Sequence, residues 1–342
     1  MANHLQTRTG YLLICLLFVL PLGFLSACES TLMREFNHHM SGSDLNRAKG
    51  VVQQQLSRNG QDPEANYLMG NLLSREQNYA EANTYFDRSI NRSSVYREHI
   101  EFLRERNYRV EFNDGIEAHQ NNRYERAVRQ FELALQVFPD RVEAYPLLAK
   151  SRAKLGQPDL AETAYRACLE FEPAHLECGL NLSEMLIEQE LFSDVISVAG
   201  PISREHPEDW RPNRLLTDAY LQTSQYDRAE EAFSDLISKQ NSYDNLKQFA
   251  LSLYNRGEVR RAEPYLVSCL ERNATDPVVL EVLAGIYLDS GNYELVIDAG
   301  NRLLDSDPQN SSIKAKLMIA YELTGDIDRY KEMQAELGLN EE

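Results

Sequence analysis

Between residues 45 and 337 the chain repeats one skeleton: a turn, an aromatic or apolar residue, a small residue, an apolar helix and a proline. NNRYERAVRQFELALQVFP closes at Pro139, KLGQPDLAETAYRACLEFEP at Pro173, LFSDVISVAGPISREHP at Pro207 and DSGNYELVIDAGNRLLDSDP at Pro308. The small residue falls at Ala82, Ala127, Ala161, Val195, Ala229, Ala262 and Val296, with Tyr330 in the last copy. The steps between copies are 45 residues once and 33 or 34 thereafter. Twelve residues upstream lies a second small position, at Gly70, Gly115, Ala149, Ser183, Thr217, Ala250 and Ala284, with Met318 last. Tyr79, Tyr124, Phe192, Tyr226, Val259, Tyr293 and Ile327 supply the aromatic or apolar residue, and Pro158 is the exception. This spacing predicts two helices per period that cross where small residues let the backbones approach, each stopped by Pro or Gly. A single pair cannot bury its apolar face, so neighbouring pairs must stack.

The register resembles the tetratricopeptide repeat, a 34-residue pair of antiparallel helices. The resemblance implies an all-α fold, a right-handed superhelical solenoid of about eight repeats over residues 45–338. The copies are expected near 63–96, 108–141, 142–175, 176–209, 210–242, 243–276 and 277–310, with a capping pair at 311–338. The 45-residue step holds eleven extra residues, and no Gly or Pro interrupts from Ser94 to Gly115. One long helix near 95–119 is therefore expected, about 37 Å in length. It would project about three turns beyond its neighbours, as a spacer or a docking surface. Residues 28–44 include STLMREFNHHMSGSD, polar with Gly and Ser, and read as a tether. LNRAKGVVQQQLSRNG then reads as a lone leading helix with Ala48 at the small position.

The amino terminus has a different pattern. Residues 1–10 contain Arg8 and no acid, and residues 11–25 contain no charge but include Pro21 and Gly23. A spanning helix needs roughly 20 apolar residues and a secretory h-region about 7–15, so residues 1–27 read as a signal peptide. Leu25-Ser26-Ala27-Cys28 resembles the bacterial lipobox. That resemblance implies cleavage before Cys28, diacylglycerol on its thiol and an acylated amino group. Two or three acyl chains hold a protein on a membrane without a helix, at about 0.8 kcal/mol per buried CH₂. Glu29 follows where enterobacterial lipoproteins kept at the inner membrane tend to have Asp, which points to the outer membrane, facing the periplasm.

Charge narrows the partners. The net charge is −18, and −19 without the first 27 residues, whose one charge is Arg8. Nucleic acid needs basic surface, and so does broad contact with anionic headgroups, so neither is expected. Of five cysteines, Cys15 lies in the signal and Cys28 takes lipid, leaving Cys168, Cys178 and Cys269. Three is not a disulfide framework. An antiparallel turn could still bring Cys178 near Cys168, and an oxidising periplasm would permit a bond between them. HLEC, with His175 and Cys178, offers too few ligands for a closed zinc shell, and no metal or cofactor is expected. HExxH, GxSxG, Walker and GxGxxG motifs are all missing, so catalysis has no support.

In the tetratricopeptide family the first helix of each pair lines the inner groove. Carried onto this sequence, the candidate partner groove comprises Tyr67, Asn71, Arg75, Phe112, His119, Lys150, Lys154, Glu184, Glu188, Arg211, Arg214, Lys247 and Tyr254. Its charges alternate in sign, which suits an extended peptide or a helix of another protein. The carboxylate clamp for chaperone tails is rejected. Asn71 and Asn113 match it, but Tyr67, Glu143 and Leu147 stand where cations are needed. The expectation is a lipid-anchored envelope scaffold that binds partner proteins, in assembly of a pilus, secretion or cell-envelope complex. The alternative is a ligand- or glycan-binding lipoprotein, or an accessory subunit of a cell-wall enzyme.

Overall fold

The computed structural model describes residues 29–339, which divide between Arg141 and Val142 into two compact units. Cys28 and the signal-like segment lie outside the described residues. Among the described residues there are eighteen α-helices and no strand. The first unit contains α1 (Thr31–Ser41), α2 (Leu45–Arg58), α3 (Pro63–Arg75), α4 (Tyr79–Arg92), a 3₁₀ turn (Ser94–Tyr96), α5 (Arg97–Gln120) and α6 (Tyr124–Val137). The second contains α7 (Ala144–Lys154), α8 (Pro158–Phe171), α9 (Leu176–Glu188), α10 (Phe192–Glu205), α11 (Arg211–Gln222), α12 (Tyr226–Lys239) and α13 (Tyr243–Asn255). It continues with α14 (Val259–Arg272), α15 (Pro277–Asp289), α16 (Tyr293–Ser306), α17 (Ser311–Thr324) and α18 (Ile327–Glu336).

The backbone repeats with the same steps as the sequence. Each pair turns on one residue of positive φ: Gln77, Asn122, Gly156, Glu190, Ser224, Gly257, Gly291 and Gly325. Four of these are glycines, the residue for which this conformation costs least. Close approach explains the small positions. A Cβ on Gly70 would lie 2.5 Å from the Phe86 ring, and one on Gly115 would lie 2.7 Å from the Phe131 ring. Four of the first helices start on side-chain caps at a constant offset: Asp62 for α3, His175 for α9, Asp276 for α15 and Asn310 for α17.

Two expectations are corrected. The segment read as a tether is helical over α1, and Phe36 is buried with Ala48, Val52 and Leu68. Ser43, of φ 58°, is the turn residue of this pair and stands 34 residues before Gln77. The described residues therefore open on a full helix pair, a ninth among them, rather than on a tether and a lone helix. Phe36→Ala removes the side chain that holds α1 down. We expect amides of 31–41 to exchange much faster with little change in α3, because a Phe→Ala truncation costs about 3–5 kcal/mol when fully felt.

The second correction concerns the long helix. It is continuous over α5, but its extra turns do not project. Ile100 and Leu103 are buried with Phe86 in the same core as α3 and α4. Arg104 reaches α4, donating from Nε to Asn83 Oδ1 at 2.7 Å and from Nη2 to Asp87 at 2.7 Å. Ile100 and Leu103 recur at helical spacing, which puts both on the inner face of α5. Further along, Tyr108 joins Tyr79, Ala134 and Val137 in a second core. Glu111 is buried there and accepts from the Tyr79 hydroxyl at 2.6 Å and from Gln77 Nε2 at 3.1 Å. Burial, and then the Glu111 carboxylate, push the Tyr79 hydroxyl well above its ordinary pKa. In the second unit the Phe233 and Phe249 rings stack at 4.0 Å inside a core shared by α11 to α15.

Candidate partner-binding hollow

In the second unit the candidate residues gather on α7, α9 and α11. A hollow of about 630 Å³ is lined there by Lys150 from α7, Glu177, Asn181 and Glu184 from α9, and Arg211 from α11. Leu176 and Leu180 give it an apolar part, and His175, His206 and Glu172 complete the lining. The helices are placed by a crossing at Gly179, whose Cβ would overlap Ile202. The junction of α8 and α9 is fixed covalently. Cys168 and Cys178, both buried, form a disulfide with their Cα atoms 6.4 Å apart. His175 Nδ1 accepts from the Cys178 backbone N–H at 3.3 Å, capping α9. Ligand atoms of these three residues lie within 4.8 Å of one another, but both sulfurs are consumed in the bond. Cys269, by contrast, is a free buried thiol, and burial followed by the nearby Asp276 charge pushes it up to about 11.

The alternating charges are engaged with one another from helix to helix. Lys150 pairs with Glu177, and Arg214 pairs with Glu184 at 3.5 Å and with Asp218 at 3.9 Å. Arg211 grips Asp209, its sequence neighbour, with Nη2 at 2.5 Å from Oδ2. That guanidinium holds Asp209 below the usual carboxylate range against the effect of burial. Burial raises Asp218, and Arg214 and Arg256 oppose it. Tyr165 reports the sign of the field beneath α9: burial, then Glu177 and Glu184, push its hydroxyl up to about 12. Lys247 stands apart, bound to Asp276 at 2.7 Å, where the Tyr243 hydroxyl also donates at 2.8 Å. Lys154 and Glu188 are exposed near the ends of α7 and α9, and Tyr254 is half-buried against the core. Exposed ion pairs are worth about 0–1 kcal/mol each, so an incoming partner can exchange the Lys150 and Arg214 pairs at little cost.

In the first unit Tyr67 is not a groove residue. It is buried, its ring is stacked on Tyr96 at 4.6 Å, and its hydroxyl lies 3.0 Å from His99 Nδ1. Tyr96 comes from the 3₁₀ turn and His99 from the first turn of α5. Asn71 and Arg75 remain at the surface of α3, linked at 3.3 Å. Phe112 stacks on Tyr108 at 5.4 Å, and His119 meets the Tyr124 ring edge-on at 5.5 Å. His175, His206, Leu176, Leu180 and Asn181 were not foreseen. The one available signal was His175, which stands at the capping position that Asp62 and Asp276 occupy in other pairs.

Residues 114–175 and 247–311 match the tetratricopeptide repeat family. The chain carries tetratricopeptide repeats in these two stretches. A curated relative, the TPR repeat-containing protein YpiA of Bacillus subtilis (strain 168), is 22% identical over 164 residues, 48% of this chain. The match spans 39% of that relative's length. Among solved structures, MamA from Desulfovibrio magneticus RS-1 is 16% identical with a TM-score of 0.42, covering 50% of this chain and 97% of that one. The Pseudomonas aeruginosa pilF structure is 20% identical with a TM-score of 0.40, covering 68% of this chain and 99% of that one. The 34-residue period places Lys150, Glu184 and Arg214 on the first helices of successive pairs.

Proposed function

We propose that this protein is a lipid-anchored scaffold of the bacterial cell envelope that binds partner proteins during assembly of an envelope complex. The observation that carries the binding half is the hollow on α7, α9 and α11, about 630 Å³, with an apolar part and a rim of exchangeable ion pairs. Tetratricopeptide repeats are interaction surfaces, and a rim of both signs selects a partner segment by charge complementarity. The anchoring half rests on Leu25-Ser26-Ala27-Cys28, with an outer-membrane, periplasm-facing site as the expected location. No helix among the described residues is long and apolar enough to cross a membrane. The reading is of a binding protein rather than an enzyme.

Two variants test the halves separately. Cys28→Ser should accumulate as an unprocessed precursor that takes up no radiolabelled palmitate, and normal labelling would end the anchoring reading. Lys150→Glu with Arg211→Glu inverts two rim charges without touching the core. Crosslinking in intact cells should then lose the envelope proteins recovered with the parent chain, while helicity and palmitate labelling stay unchanged. Undiminished crosslinking would remove the hollow as the binding surface.

A further inference from the structure

Helix α5 leaves one face uncovered. Phe102 lies there, 62% exposed although phenylalanine is among the residues most often buried, and Val110 is 51% exposed two turns on. A hollow of about 440 Å³ opens beside the ring, lined by Phe102, Glu105, Arg106, Arg109, Val110 and Asn113. All six belong to α5, so the hollow has a single wall.

The charges beside the ring differ from the others on this stretch. Arg97 pairs with Glu101 at 3.9 Å, Arg104 with Asp87 at 2.7 Å, and Glu105 with Arg109 at 2.7 Å and Arg141 at 3.0 Å. His99 leans on the Phe102 ring at 6.4 Å, and its Nδ1 lies 3.0 Å from the Tyr67 hydroxyl. That leaves Glu98 and Arg106, both exposed. Among the described residues Glu98 has no ion pair, and Arg106 donates only to Asn107 Oδ1, at 3.1 Å. They stand four residues before and four after Phe102. That spacing puts all three on one face, with each charge about 6 Å from the ring along the axis. A lipid surface would answer one sign only. An acid and a base equally far from a ring are matched by the same surface rotated through half a turn.

We propose that this face of α5 is the interface of a homodimer, with the two α5 helices antiparallel and Phe102 on the two-fold axis. The ring of each copy packs on that of the other and supplies the missing wall of the hollow. Glu98 of each copy faces Arg106 of the other, so one contact forms two ion pairs. Neither a lipid on Cys28 nor the hollow of the second unit takes part.

The test uses the mature lipoprotein in mild detergent. Light scattering should give the protein mass of a dimer at micromolar concentration. Glu98→Arg and Arg106→Glu, each alone, set like charges opposite one another twice and should raise the dissociation constant about tenfold or more. The double exchange should return it to within about threefold of the parent. An effect of Glu98→Arg on the start of α5 alone would not be reversed in this way. Under mild oxidation Phe102→Cys should crosslink to itself across the axis, and Gln240→Cys, exposed on the second unit, should not. A monomeric parent chain overturns the interface. So does a double exchange no tighter than the single ones, or a Phe102→Cys that crosslinks no faster than Gln240→Cys. A dimer that none of the charge variants weakens lies on another surface and overturns it as well. Palmitate labelling and crosslinking through the hollow should be the same in every variant, so the proposed function stands or falls separately.

Discussion

Gly70→Ala should destabilise the first unit by about 1–3 kcal/mol, although alanine is the better helix former. In an open helix position the exchange would gain about 0.5–1 kcal/mol. At Gly70 the new methyl meets three atoms of the Phe86 ring at 2.5–3.0 Å, and Phe86 is itself 1% exposed and cannot swing away. Overpacking therefore outweighs propensity. Gly50→Ala provides the opposite case on the same unit: this glycine lies in α2 with nothing within 4 Å of its added Cβ, and it should stabilise. Opening free energies of α3 and α4 from amide exchange would show both signs. If the two substitutions moved stability in the same direction, the close crossing of α3 and α4 would not be what glycine serves at position 70.

The second large effect is expected at Asp276. This carboxylate is 5% exposed and answers four donors: Lys247 Nζ at 2.7 Å, the Tyr243 hydroxyl at 2.8 Å, and the backbone N–H groups of Val278 and Val279 at 3.1 Å. Burial disfavours the charge, but the hydrogen bonds from Lys247, Tyr243 and Val279 outweigh it and leave the carboxyl below its ordinary range. Asp276→Ala removes a helix cap and strands a partly buried ammonium, a loss of about 3 kcal/mol. The pH dependence has a definite sign. A carboxyl whose pKa is lowered by folding contributes stability that is complete above its unfolded value, about 3.9, and is lost as pH falls through the folded one. Urea midpoints of the parent chain should therefore drop below about pH 4, and those of Asp276→Asn should drop less. Equal acid sensitivity in the two would remove Asp276 from this role.

The repeat was legible because its signal is steric. Gly70 and Gly115 mark crossings where an added methyl would run into a ring, and the turn residues fall at the same intervals. The opening pair was hidden because Phe36 stands where every other copy but the last, with Met318, carries a small residue. Tyr67 was misplaced for a different reason. Its register position faces the groove in a regular repeat, but Tyr96 and His99 cover it here, and their placement depends on how eleven extra residues pack. The Cys168–Cys178 bond was legible only as proximity, since seven residues on from Ala161 and the start of the next helix can meet without bonding. The hollow was half legible. Lys150, Glu184 and Arg211 were placed by register, whereas His175 and His206 sit at helix ends, where the repeat pattern sets no residue type.

Helix α5 changes how the first unit can come apart. In an ordinary repeat array each core is bounded by turns, and terminal pairs can melt one at a time. Here a single uninterrupted helix places Ile100 and Leu103 in one core and Tyr108 in the next, with Glu111 pinning Tyr79 and the turn residue Gln77 between them. Melting either half frays the helix through the other. The two cores are spliced into one cooperative block, with α5 as the splint.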